Sequence, residues 1–274
     1  IQEAKVTMLG VVPTIVKAWE ARGCMNDLDW SNIKCFSSTG ESSQANTMIF
    51  LSALANIKPV IEYCGGTEIG GGYVSSVDVL PNVPAAFNSP AVGLDFLLID
   101  PVDHSLSEQG EVFLIPPSIG LSDRLINRDH FETYYADTPS LPNTSQLRRH
   151  GDYFRKFLTA QGPVFEAGGR ADDTMNLGGI KISSAEIERV LNQVEPVTES
   201  AAVSYSPTTG PDQLIIFAVL DHETDVDQLQ KEMNQALKTE LNPLFKVHSV
   251  IQVTAMPRTA SGKVMRRKLR DQIA

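Results

Sequence analysis

Two short apolar segments, each ending in small polar residues, constrain the fold of this chain more than any other feature. Ile33 to Ser37 and Pro59 to Tyr63 have the length and composition of buried strands. The segment between them, Ala45 to Ala55, has helical apolar spacing, and an earlier helix, Val11 to Trp19, is started by Pro13. This strand, loop and helix order predicts an α/β sheet, in which ligands gather where strands end.

The pattern changes twice after this region. From Val92 it is alternating and rich in turns, with strands predicted over Gly93 to Ile99 and Val112 to Ile115. After Gly168 to Asp173 a compact α+β pattern begins, with a helix that starts at Ser183-Ser184 and reaches Leu191. Its other predicted elements are strands at Ser200–Tyr205, Leu214–Leu220 and Ser249–Val253 and a helix at Val226–Leu237. We therefore predict an α/β domain at residues 1–171 and a small α+β domain at 172–274.

Composition excludes several classes of function. The formal charge of −10 argues against a nucleic-acid partner, since phosphate neutralisation requires a basic face. No apolar run approaches the roughly 18 residues of a membrane span. The three cysteines, Cys24, Cys35 and Cys64, lack CxxC spacing, so the sequence indicates neither a disulfide framework nor a zinc site. A reducing compartment fits this cysteine usage best.

Pro257 to Lys263 presents a single lysine on a Ser-Gly hinge, just before a basic helical tail. An ammonium group at such a place suits a reaction that joins two anions, because it offsets the repulsion between a carboxylate and a phosphate. The same pattern also occurs in solvated surface turns.

Three further motifs offer groups for binding a nucleotide. Thr67 and Glu68 follow a predicted strand and two glycines, where a hydroxyl can donate to a phosphate and a carboxylate can reach Mg²⁺. Asp152, in a predicted loop, can accept from both hydroxyls of a ribose, and Arg170 can clamp a phosphate or ribose. Taken alone, the Thr67-Glu68 pair is more typical of a simple turn. Asp152 alone is equally compatible with an Asx turn and Arg170 alone with a surface ion pair.

Together, the order and spacing of these residues resemble the acyl-activating, adenylate-forming superfamily, which contains acyl-CoA synthetases. The resemblance runs from about Val6 to Arg270 and is most specific at Gly169 to Asp173 and at Pro257 to Lys263. Within the superfamily the chain looks most like the acetyl-CoA synthetase branch and plant-type acyl-activating enzymes. This implies the C-terminal part of a large AMP-binding domain, followed by a small mobile lid domain. It also implies a ligase that forms an acyl-adenylate from ATP and then an acyl-CoA.

The resemblance assigns catalytic roles by position. Lys263 matches the lysine that orients the acid on the α-phosphate, and Asp172 matches the hinge about which the lid turns. Thr67 matches the phosphate-binding threonine, and Glu68 matches the glutamate linked to Mg²⁺.

The resemblance also assigns ligand contacts. Asp152 matches the ribose-binding aspartate, and Arg170 matches its partner. Further residues expected at AMP or ATP are Gly40, Glu41, Ser42, Glu62, Tyr63, Cys64, Gly65, Gly66 and Lys181. Those expected at coenzyme A are Gly178 and Gly179, along the pantetheine tunnel, and Lys238, at the 3′-phosphate.

Departures from the family pattern modify these expectations. Cys64 stands where members often stack an aromatic ring on adenine, and Gly65 stands where acetate-specific members close the acyl pocket with tryptophan. An open pocket favours a longer or aromatic acid, each buried methylene being worth about 0.8 kcal/mol. We therefore expect acetate to be a poorer substrate than hexanoate.

No stretch of the chain matches the family's Gly/Ser/Thr-rich phosphate loop. We therefore expect a C-terminal portion that does not adenylate alone, with the N-terminal part of the same enzyme as its partner. Two alternatives stay open: an adenylation domain that loads a carrier protein, and a non-catalytic fragment that binds nucleotide or coenzyme A. Cytoplasm and peroxisome both fit the sequence.

Overall fold

The computed structural model describes residues 1–142, 144–177, 180–205, 212–259 and 264–273, with side chains for all of these except Asp172, Asn176 and Lys181. The chain divides into two compact units, Ile1–Ala167 and Gly168–Ala274. The boundary predicted from the sequence lies slightly later, after Ala171. Three predicted site residues, Gly178, Gly179 and Lys263, lie outside the described residues.

The first unit is built from two sheets and three helices among its described residues. Its elements, in chain order, are β1 (Met8–Val11), α1 (Pro13–Arg22), β2 (Cys35–Ser38), α2 (Ala45–Leu54), β3 (Val60–Gly66), β4 (Gly71–Ser75), β5 (Ala86–Phe87), β6 (Ser89–Pro90), β7 (Phe96–Ile99), β8 (Gln109–Leu114), α3 (His130–Tyr134), β9 (Arg148–Thr159) and β10 (Gly162–Arg170).

The first sheet has the strand order β1-β2-β3-β4-β6. Strands β1, β2 and β3 are parallel, which confirms the α/β prediction for this region, whereas β3–β4 and β4–β6 are antiparallel. Helix α1 begins with Pro13 and ends at Gly23 in the left-handed conformation, as the conformational preferences of both residues favour. Val16, Phe36 and Leu51 are fully buried between the helices and this sheet.

The second sheet has the order β5-β10-β9-β8-β7. Its core is aromatic: the Phe154 ring stacks on Phe87 at 5.5 Å, and Phe96 meets Phe165 edge-on at 5.0 Å. The prediction of a loop at Asp152 is wrong, because this residue lies within the 12-residue strand β9. Gly151 adopts φ +84° inside that strand, and a glycine beside polar residues is also what a turn looks like in sequence.

The described part of the second unit contains a three-stranded sheet with helices on both faces and a separate two-stranded hairpin. Its capping box, Ser183 with Glu186, and its helix Ser184–Leu191 confirm the sequence prediction. Strand β14 (Gln213–Leu220) pairs with β13 (Val197–Tyr205) antiparallel and with β15 (Val247–Gln252) parallel. The elements are β11 (Thr174–Leu177), β12 (Ile180–Ser183), α4 (Ser184–Leu191), β13 (Val197–Tyr205), β14 (Gln213–Leu220), α5 (Val226–Glu240), β15 (Val247–Gln252) and α6 (Arg266–Arg270).

Across the described parts of both units, none of the helices combines the length and the apolar character that a bilayer crossing requires.

Candidate functional site

The end of β3 and the start of β9 bring candidate residues together. Thr67 and Glu68 directly follow β3 in a 3-10 turn, as predicted, and Asp152 lies on β9. Between them stands His150, whose side chain is 6% exposed. Its Nε2 lies 2.9 Å from Asp152 Oδ2, and its Nδ1 lies 3.8 Å from Glu68 Oε1. The imidazole therefore links the expected ribose ligand with the expected Mg²⁺-linked carboxylate.

The carboxylate of Asp152 is the centre of a polar cluster. Besides His150, the Tyr73 hydroxyl and the Cys64 thiol each donate to Oδ2 at 3.1 Å. Tyr73 is fully buried, and burial, with help from Cys64 and Asp152, raises the pKa of its phenol well above the ordinary value. The phenol therefore stays protonated and remains a donor. We call Cys64, Tyr73, His150 and Asp152 the Asp152 cluster.

A buried arginine fixes the turn that carries Glu68. The Arg148 guanidinium donates to the Ser122 carbonyl at 3.1 Å, to the Ser122 hydroxyl at 2.8 Å and to the Glu68 carbonyl at 3.3 Å. It also lies 4.1 Å from the Tyr134 ring centroid. Sequence reasoning missed Arg148 and His150, because no periodicity marks a polar side chain that is buried through contacts with distant segments.

Gly65 is required by a close backbone approach. A Cβ atom at this position would lie 2.0 Å from the Gly71 carbonyl oxygen on β4. The pairing of β3 with β4 shifts register between Cys64 and Gly65, which brings the two backbones together there. The strand predicted over Pro59 to Tyr63 is too short at its C-terminal end, since β3 continues through Cys64 to Gly66.

The residues expected at adenine, Gly40 to Ser42 and Tyr63 to Gly66, lie next to the buried side chain of Glu62 in sequence or through its hydrogen bonds. This side chain is 2% exposed and accepts from the Ala85 amide at 2.6 Å. Burial raises the pKa of Glu62 to about 7, against the opposing effect of hydrogen bonds from Ser43 and Ala85. The Thr14 hydroxyl donates to the Glu41 carboxylate.

The surrounding positions are more open. Tyr63 is 40% exposed, and Gly40 and Ser42 are exposed as well. Gly40 has φ +92°, which favours glycine at this bend. The segment thus offers backbone and an aromatic ring at the surface, whereas the carboxylate of Glu62 is occupied internally.

In the second unit, a buried ionic network ties α6 to α4 and to the turn at Ala171–Asp173. Arg266 contacts both oxygens of Glu188 at 2.8 Å and one oxygen of Asp173 at 3.1 Å. Arg270 contacts the other Asp173 oxygen at 2.8 Å. Burial would lower the pKa of Arg266, but Glu188 and Asp173 raise it, so the guanidinium stays charged. The backbone of Asp172 lies in this tethered turn, and exposed Arg170 immediately precedes it.

Lys238 lies near the C-terminal end of α5, in the lining of a surface pocket. Lys231 and Lys246 share that lining with the buried ring of Phe245. Three lysines and a buried aromatic residue thus contribute to the lining of one pocket, a combination that suits an anion attached to an apolar body. The sequence analysis had identified only Lys238. The backbone of Lys181 pairs with that of Asn176 in the β11–β12 hairpin.

The whole chain aligns with plant enzymes. It is 46% identical to the hexanoyl-CoA synthase of Cannabis sativa, and the alignment covers 100% of this chain and 39% of that protein. It is 44% identical to probable acyl-activating enzyme 17, peroxisomal, of Arabidopsis thaliana, with the same shares covered. An acetyl-coenzyme A synthetase of Marinobacter nauticus is 26% identical, over 98% of this chain and 42% of that protein. The chain thus spans about two fifths of the length of these relatives.

Solved structures show the same fold. The acetoacetyl-CoA synthetase from Streptomyces lividans matches with a TM-score of 0.80 at 24% identity, over 96% of this chain and 40% of that chain. An anthranilate CoA ligase in complex with anthranoyl-AMP matches with a TM-score of 0.75 at 22% identity, over 99% of this chain and 51% of that chain. In sequence, residues 186–263 match the protein family described as AMP-binding enzyme C-terminal domain. The chain is therefore homologous to a part of plant acyl-activating enzymes and acyl-CoA synthases, and its residues 186–263 match the AMP-binding enzyme C-terminal domain family.

Proposed function

We propose that this chain supplies the nucleotide-binding and lid parts of an AMP-forming acyl-CoA synthetase. In that reaction ATP and a carboxylic acid give an acyl-adenylate and pyrophosphate, and coenzyme A then displaces AMP. The observation that carries the proposal is the convergence of Glu68, His150 and Asp152, in a chain whose whole length aligns with a hexanoyl-CoA synthase.

The nucleotide would lie along the end of β3. Asp152 would accept from the ribose hydroxyls, and Arg170 would assist it. Gly40 to Ser42 and the stretch Tyr63 to Gly66 would lie against adenine. Because the carboxylate of Glu62 is occupied by Ala85 and Ser43, we propose that Glu62 shapes this segment rather than touching the base.

The charge of the reacting groups would be offset in two ways. Thr67 would donate to a phosphate oxygen, and Glu68 would hold Mg²⁺, a cation that prefers oxygen ligands. Lys263 would stand between the acid and the α-phosphate during adenylation. Rotation about Asp172 would then withdraw the lysine, and Lys181 would meet phosphate in the rearranged lid.

Coenzyme A would reach the adenylate through the second unit. Gly178 and Gly179 would line the path of the pantetheine arm, and Lys238 would hold the 3′-phosphate. The pocket lined by Lys231, Lys238 and Lys246 supports this role, since three positively charged residues in one lining would attract an anion.

The acid would be larger than acetate. The relative with 46% identity, which is named for hexanoyl-CoA, supports this part of the proposal. The missing ring at Gly65 does not by itself create acyl space, because a Cβ atom there would lie 2.0 Å from the Gly71 carbonyl oxygen. Names of two relatives place them in the peroxisome, so cytoplasm and peroxisome are the compartments we propose.

Calorimetric titration of the 274-residue chain with AMP tests the proposal. We expect saturable binding that Asp152→Asn weakens at least about tenfold, because a hydrogen bond to a charged group contributes roughly 1.5–3 kcal/mol. Asp78→Asn is the matched control, since Asp78 is an exposed aspartate of the same unit. Absence of AMP binding, or an equal loss in the control, would refute the assignment.

A further inference from the structure

The Asp152 cluster contains three kinds of metal-binding atom. A thiol sulfur from Cys64, an imidazole nitrogen from His150 and a carboxylate oxygen from Asp152 all lie within 4.8 Å of one another. Cys64 and Asp152 are 88 residues apart in sequence, and strands β3 and β9 belong to different sheets. This is why cysteine spacing alone indicated no zinc site.

We propose that Cys64, His150 and Asp152 bind a zinc ion. Mixed sulfur, nitrogen and oxygen ligands suit Zn²⁺, whereas Mg²⁺ and Ca²⁺ take oxygen ligands. Three protein ligands leave the fourth position of a tetrahedral ion open to water. The ligand atoms of this site therefore differ in kind from the carboxylate oxygen with which Glu68 would hold Mg²⁺.

The ligands are already close to the required arrangement. Asp152 Oδ2 lies 2.9 Å from His150 Nε2 and 3.1 Å from Cys64 Sγ, and all three side chains are carried by strands. His150 is buried, with 6% of its side chain exposed, and Asp152 is 15% exposed. Zinc binding would therefore cost little conformational entropy, because the three side chains are already held close to one another.

Proton balance follows from these contacts. Zinc would replace the thiol proton of Cys64, which leaves to solvent, and the Nε2 proton of His150, which moves to Nδ1. Nδ1 faces Glu68 Oε1 at 3.8 Å, so that carboxylate would become the outer partner of the metal-bound imidazole. Net binding releases a proton, and affinity falls at low pH.

A consequence for nucleotide binding rests on the proposed function. Asp152 is the ribose ligand in that proposal, so zinc and AMP would compete for the same carboxylate. Zinc would then inhibit adenylation by blocking the ribose contact of the nucleotide, and it would leave the phosphate contacts unoccupied.

Calorimetry of the metal-free, untagged 274-residue chain with ZnCl₂ tests the site itself. We expect a saturable site, with Cys64→Ser and His150→Gln each weakening zinc binding at least about tenfold. Cys35→Ser is the matched control, because Cys35 is also a partly buried cysteine outside any disulfide but lies on β2, away from the cluster. Any binding of MgCl₂ should be unaffected by Cys64→Ser, because Mg²⁺ takes oxygen ligands.

Cobalt gives an independent readout on the unaltered chain. Co²⁺ should produce a thiolate-to-metal charge-transfer band that Cys64→Ser abolishes and Cys35→Ser retains. Absence of that band in the unaltered chain, absence of saturable zinc binding, or an equal loss in the Cys35 variant would overturn the site, even if a cluster variant failed to fold.

A final titration separates the two proposals. Zinc should weaken AMP binding by the unaltered chain. The AMP affinity of the Cys64→Ser chain with zinc should equal the AMP affinity of that same variant without zinc. A chain that binds zinc but no AMP would refute the proposed function and keep the metal site, whereas AMP binding unaffected by saturating zinc would refute the competition.

Discussion

Replacing Arg266 by methionine should destabilise the second unit selectively. The guanidinium contacts both oxygens of Glu188 at 2.8 Å and Asp173 at 3.1 Å, and both partners have side chains less than 15% exposed. Removing one partner of a buried pair costs roughly 3–5 kcal/mol, because the remaining charge stays desolvated. In the variant, Glu188 still accepts from the Ala202 amide at 2.8 Å, and Asp173 still contacts Arg270. Because both carboxylates keep one partner, we expect the free energy of unfolding to fall by about 3 kcal/mol, the lower end of this range.

Two optical probes distinguish the units. Both tryptophans, Trp19 and Trp30, lie in the first unit, so their fluorescence follows its unfolding in urea. Far-ultraviolet circular dichroism follows both units. Arg266→Met should shift the dichroism transition to lower urea and leave the fluorescence transition in place.

Two further variants control this experiment. Arg267→Met, on the exposed side of the same helix, should change stability by less than about 0.5 kcal/mol. Glu188→Gln added to Arg266→Met should recover part of the loss, since it removes the unpaired charge. Equal stability of the Arg266 and Arg267 variants would refute the account of the network.

Further predictions concern pH, backbone packing and coenzyme A. Because the pKa of Glu62 is raised to about 7 from 4.5, its contribution to stability should fall by up to about 3 kcal/mol as pH rises from 4.5 to 7.5. Glu62→Gln should flatten that dependence in urea titrations, and an unchanged slope would contradict the burial argument. Gly65→Ala should cost about 1–3 kcal/mol, while Gly71→Ala, where a Cβ meets nothing within 4 Å, should cost less than about 0.5 kcal/mol. Coenzyme A should bind the chain more tightly than its analogue lacking the 3′-phosphate, and Lys238→Gln should reduce that difference; equal affinity for both compounds would remove Lys238 from the site.

Local signals in the sequence predicted much of the second unit. The helix Ser184–Leu191 was predicted with its observed bounds, because the capping box at Ser183 and Glu186 fixes its start through short-range hydrogen bonds. The strands β13 to β15 were located to within a few residues, since continuous apolar runs mark buried strands.

The candidate site was less predictable, because it depends on contacts between distant segments. Thr67 and Glu68 were correctly placed after a strand, but His150 was missed, since its role arises only when β9 lies beside the β3 turn. Asp152 was assigned to a loop because a neighbouring glycine looks the same in a turn and in a strand with a positive φ. The internal engagement of Glu62 likewise depends on Ala85, which comes from another loop.

The most direct test of the central claim is thioester synthesis by a fusion in which the upstream part of the Cannabis sativa hexanoyl-CoA synthase precedes this chain. With ATP, Mg²⁺ and coenzyme A, the fusion should form hexanoyl-CoA and AMP, and hexanoate should outperform acetate. Lys263→Ala in the fusion should impair adenylation far more than thioester formation from supplied hexanoyl-AMP. A folded fusion that makes no thioester, or one in which Lys263→Ala reduces both half-reactions equally, would contradict the assignment of this chain to acyl-CoA synthesis.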